Sequence, residues 1–128
     1  MMNVSIGKVI TLFVIAAFIV TSVNSLSAPS DQITKETAIE ISKGSSLVKE
    51  GLATAHSVSV GANYYNSSMV EQLKLGHNRE IYEKVPEGHS VWQVVWDINL
   101  GVGGYLVIVI INAETGKILH EETGAGYG

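Results

Sequence analysis

The sequence predicts an α+β domain in which a helix, broken once, packs on an antiparallel sheet of about four strands, all of it preceded by a hydrophobic export or anchor helix. Three observations carry this expectation. An unbroken apolar run follows a single lysine near the start of the chain. Apolar residues then recur with a helical period as far as Leu52, and from His56 the period changes to two. Finally, two strongly apolar runs, 92–98 and 105–111, are separated by the glycine-rich segment Gly101-Val102-Gly103-Gly104.

Lys8 is the only charge before Asp31, and Val9 to Val20 forms a 12-residue apolar stretch followed by small and polar residues up to Ala28. A positive start, an apolar core and a small-residue exit is the layout of a signal peptide. Cleavage after Ser25 or Ser27 would leave a secreted domain. Without cleavage, Val9 to Val23 would anchor the domain in a thin bilayer, although a full span takes about 20 apolar residues. Either way the expected location is extracytoplasmic. Residues 1–28 are thus read as signal peptide or membrane anchor, 29–32 as a linker, 33–123 as the domain and 124–128 as a flexible tail.

Within the domain, Thr34 is placed to cap a helix with Glu36 in its first turn, where a carboxylate favours the helix dipole. Ala38, Ile39 and Ile41 form its apolar stripe. Gly44-Ser45-Ser46 interrupts the pattern, and Ser46 is expected to cap a second piece carrying Leu47, Val48 and Leu52. Val58, Val60, Ala62 and Tyr64 alternate with Ser57, Ser59, Gly61 and Asn63, which predicts a half-buried strand. Ser68 and Glu71 have the spacing of a capping box, placing a short helix at 68–75 before the polar stretch 76–80. Pro86-Glu87-Gly88-His89 reads as a turn.

Trp92, Val94, Trp96 and Ile98 share one strand face, with Gln93, Val95 and Asp97 on the other. The run Tyr105 to Ile111 returns antiparallel, and Asn112 to Lys117 turns into Ile118-Leu119-His120 with Gly116 in the left-handed conformation. The last five residues contain three glycines and are expected to fray.

Composition narrows the function. With Lys8 removed, seven basic residues face twelve acidic ones, a net charge of −5. The single arginine, Arg79, gives no basic footprint, so nucleic acid is not an expected partner. The chain has no cysteine, which rules out disulfides, a thiolate nucleophile and a thiolate metal site. His56, His77, His89 and His120 lack two-ligand spacing, no Gly-x-Ser-x-Gly elbow occurs, and the 101–104 loop has neither the lysine nor the following helix of a phosphate cradle. No metal, cofactor or catalytic residue is expected.

The helix opening 33–41, the Trp92-Gln93-Val94-Val95-Trp96 strand and the hairpin from Val107 through Asn112-Ala113-Glu114-Thr115-Gly116-Lys117 to Leu119 together resemble the PepSY domain family over about residues 33–121. That resemblance implies a helix on an antiparallel sheet and a role in restraining a peptidase or binding another envelope protein.

The run from Tyr105 is apolar on both faces of its strand, so its second face needs cover from the 44–90 insertion or from a partner. Trp92 and Trp96 are either core beneath a helix or a binding platform. Trp92, Trp96, Tyr105, Val107 and Val109 are accordingly the candidate protein-binding residues. Asn66 in Asn66-Ser67-Ser68 is a candidate glycosylation acceptor. The leading expectation is an exported or tethered non-catalytic binding domain with a protein partner. A self-associating structural domain of the cell surface comes next, and a hydrolase third.

Overall fold

The computed structural model describes residues 28–125. The leader, its cleavage positions after Ser25 or Ser27, and the last three residues of the tail lie outside the described residues. Within them the chain is a small α+β fold: helices α1 (Lys35–Ser42) and α2 (Ser46–Thr54), strand β1 (Ser57–Tyr65), helices α3 (Ser67–Leu73) and α4 (Arg79–Tyr82), and strands β2 (Val91–Asn99), β3 (Gly104–Asn112) and β4 (Ile118–Ala125). The four strands form one antiparallel sheet in the order β1-β2-β3-β4.

The broken helix is present, and its first cap is the expected one: Thr34 Oγ1 accepts the Thr37 N–H at 3.1 Å. The second cap is Ser45 rather than Ser46. Its hydroxyl accepts from the Val48 N–H and donates to Glu121 Oε1 on β4 at 2.5 Å. A cap that also finds a long-range acceptor wins over a serine that stays exposed. Asn66 likewise replaces Ser68 as the cap of α3, its Oδ1 accepting the Met69 N–H at 2.9 Å. The polar stretch 76–80 runs into the one-turn α4, which the charge pattern concealed.

Residues 29–32, expected as a linker, are docked: the Gln32 N–H bonds the Pro29 carbonyl, Gln32 Oε1 accepts from the Tyr64 hydroxyl at 2.7 Å, and the Ile33 N–H bonds the Ala113 carbonyl at 2.9 Å. The tail is shorter than expected, because Gly124 and Ala125 belong to β4 opposite Leu106 and Tyr105. The turns follow the sequence. Gly116 sits at φ +80° with its N–H on the Asn112 carbonyl, and Gly88 at φ +83° completes the 86–89 turn.

Alternation divides the sheet into two faces. Tyr64, Trp92, Val94, Trp96, Ile98, Val107, Val109 and Ile111 point to the first face, where Ala38 of α1 and Val48 of α2 close the main core. Val91 and Ile110 point to the second, packed by Val70 of α3, Tyr82 of α4 and Val85. The insertion is therefore divided between the faces: α2 lies on one, α3 and α4 on the other.

Candidate functional site

The five residues singled out as protein-binding candidates are placed inside the domain or under its helices. Trp92 and Trp96 are buried, and each finds a partner for its indole N–H: Trp92 the Ile33 carbonyl at 3.0 Å, Trp96 the Ser42 hydroxyl at 2.8 Å. Val107 and Val109 are fully buried. Tyr105 is half-buried beneath α2, where Gly51 leaves the room: a Cβ there would stand 2.9 Å from Ile98 Cδ1 and 3.2 Å from Tyr105 Oη. The physical reason is coverage. Two helices span the first face, so its aromatic residues become core instead of platform.

The second apolar face of β3 is covered from within at its Ile110 end. There Tyr82 is buried, edge-on to Tyr65 with ring centres 6.1 Å apart, and its hydroxyl accepts from Gln93 Nε2 at 3.0 Å. Burial, with smaller contributions from Tyr65 and Glu122, pushes its phenol up to about 12 against the lowering effect of the Gln93 hydrogen bond. Beyond that bond Val95, Leu106 and Ile108 stay half-buried, and a Cβ on Gly61 would meet nothing within 4 Å.

Titratable side chains are dispersed. His120 Nε2 lies 2.8 Å from Glu122 Oε1, His89 Nδ1 lies 2.8 Å from Asn112 Nδ2, and Glu121 is held by Ser45. Among the described residues no three His, Asp or Glu side chains gather as metal ligands, and no helix is long and apolar enough to cross a membrane. Asn66 is exposed. A glycan on its amide nitrogen leaves the carbonyl oxygen free to keep capping α3.

The surface to which sequence reasoning assigned no residues is a sheet edge. An edge strand offers a row of unpaired N–H and C=O groups to any other strand, and natural sheets blunt such rows with charges, bulges or prolines. β4 is blunted. Its register slips between Ile110 and Ile111, which face His120 and Ile118 and leave Leu119 as the extra residue; His120, Glu121 and Glu122 follow. β1 has none of these devices. It pairs with β2 without interruption from Ser57 opposite Asn99 to Tyr65 opposite Val91, and Ser57 through Gly61 are all exposed.

Val58 and Val60 remain 42% and 37% exposed although their face of the sheet carries the main core. The signal was present in the sequence: no Asp, Glu, Lys or Arg occurs among the twenty residues from Gly51 to Val70. Alternation alone disguised it, because Val58 and Val60 share a face with the buried Tyr64. At the same end of the sheet the β2–β3 loop carries Leu100 and Val102, the latter 94% exposed.

Compared with protein-family models, with curated proteins and with solved structures, the chain finds no match.

Proposed function

We propose that this chain is an exported or membrane-tethered, non-catalytic binding domain that recognises protein by accepting an extended strand along β1. The observation that carries the reading is the contrast between a bare β1 and a blunted β4. Strand addition satisfies the outward N–H and C=O groups of an edge, while side-chain pockets beside it supply selectivity. Val58 and Val60 border the β1 edge on one face, and Gly61 borders it on the other with half-buried Val95 opposite it on β2. Both partner classes that the sequence raises, an envelope peptidase through the PepSY resemblance and a second copy of the chain, can supply such a strand.

The test is site-specific photo-cross-linking of the full chain in its native host, with the reactive group at Val60 and, as control, at Thr123 on β4. Adducts to a discrete protein from position 60, absent from position 123 and abolished by Val58→Lys, are expected. Adducts of equal yield from both edges, or from neither, would overturn the reading.

A further inference from the structure

Resting on the reading that β1 accepts a strand, we infer that its occupant is a second copy of this chain, the two β1 strands running antiparallel across a two-fold axis to make one eight-stranded sheet. A two-fold contact requires a patch complementary to itself. An antiparallel edge meets this need in its backbone, since each copy offers the other the same row of donors and acceptors.

Charge selects the copy over a foreign protein of the opposite sign. The chain carries a net charge of −4, so two copies repel wherever their acidic residues meet. The uncharged stretch from Gly51 to Val70 holds all of β1 and the start of α3, and it is where copies can touch without that penalty. β4, which carries Glu121 and Glu122 within its own strand, is excluded by the same argument.

The side chains fit the pairing too. Keeping Val58 and Val60 of both copies on one face requires that some residue lie opposite its own copy. Ser59, Val60 and Gly61 are the centres that leave both valines inside the contact. Centred on Ser59, Val58 meets the other copy's Val60; centred on Val60, it meets Ala62; centred on Gly61, it meets Tyr64. On the opposite face Ser57, Ser59 and Gly61 leave room for a close approach, and Asn63 and Tyr65 enter the contact only as the centre moves to Val60 and Gly61. A stable interface takes about 800 Å² from each partner, more than a short ribbon supplies. Leu52, Leu100 and Val102, all exposed at the Val58 end, furnish further apolar surface.

Because the chain has no cysteine, single substitutions report the contact in the full protein. Ser59→Cys, Val60→Cys and Gly61→Cys would be oxidised mildly beside Thr123→Cys on β4. A covalent dimer from at least one β1 position, its loss when Val58→Lys is added, and no dimer from position 123 are expected. Should a substituted chain not fold, hydrogen exchange on the unaltered protein serves instead: the amides of 57–61 gain protection as concentration rises.

Absence of a dimer at every β1 position, with those amides unprotected at all concentrations, overturns the second copy while leaving β1 open to a foreign strand. A dimer that forms equally through position 123, or survives Val58→Lys, places the contact elsewhere and overturns both the second copy and the β1 reading.

Discussion

The two faces of the sheet are built by different means. The first is closed by helices stitched to it through polar atoms at the ends of apolar bodies: Trp92 to the Ile33 carbonyl, Trp96 to the Ser42 hydroxyl, Ser45 to Glu121. The second is closed only at one end, by a short helix and a single turn gathered around Tyr82 and Ile110. The lesson is that the apolar faces of β3 do not require equal cover. Residues fully buried at one end of the second face grade into half-buried ones at the other, where β1 is also bare.

The sharpest way to break this comparison is Trp96→Ala. Removing that side chain from the stitched face should cost about 3–5 kcal/mol, enough to unfold a marginal domain, read as a lowered denaturant midpoint. Ile110→Ala on the other face should cost about 2–5 kcal/mol if both faces melt as one unit. Hydrogen exchange then decides whether they do: if α3 and α4 open by themselves, exchange accelerates there first and the sheet keeps its protection. Ser42→Ala leaves the Trp96 indole N–H buried without a partner, at about 1–3 kcal/mol.

Tyr82 supplies a test specific to the second face. Its phenol is raised in the folded state to about 12 from an ordinary 10. The native state therefore holds the proton more tightly, and the associated stability is full below pH 10 and is lost as pH rises from 10 towards 12. Denaturation at several alkaline pH values should show that loss, and Tyr82→Phe should abolish its share. The smallest expected effect is Asn66→Ala, which removes the cap of α3 for about 1 kcal/mol and should loosen α3 without disturbing α1.

Much of this architecture was legible because its signals are local. Thr34 begins a helix, Gly116 takes a positive φ, and the β2–β3 and β3–β4 hairpins follow from alternation and turn residues. What stayed hidden depends on distant partners. Ser45 outcompetes Ser46 as a cap because Glu121, far along the chain, accepts its hydroxyl proton. Gly124 and Ala125 look unsupported until Leu106 and Tyr105 are found opposite them.

The candidate site was only partly legible for a related reason. A two-residue period says which side chains share a face, but not how far along the strand a helix covers that face. Tyr64 is buried, while Val58 on the same face is not. Likewise, Trp92 and Trp96 carry the same aromatic surface whether they are core or platform, and only the helices above them decide.

The bond from the Ile33 N–H to the Ala113 carbonyl fixes where the chain enters the domain: at the Trp92 end of β2, beside the β3–β4 turn. The β2–β3 loop lies at the far end of that strand, roughly 23 Å away for seven steps of extended chain. The end where residues 28–33 dock is therefore the one remote from Val58, Leu100 and Val102. The bare stretch of β1 and the glycine-rich β2–β3 loop share that far end, a full strand length from the docked segment.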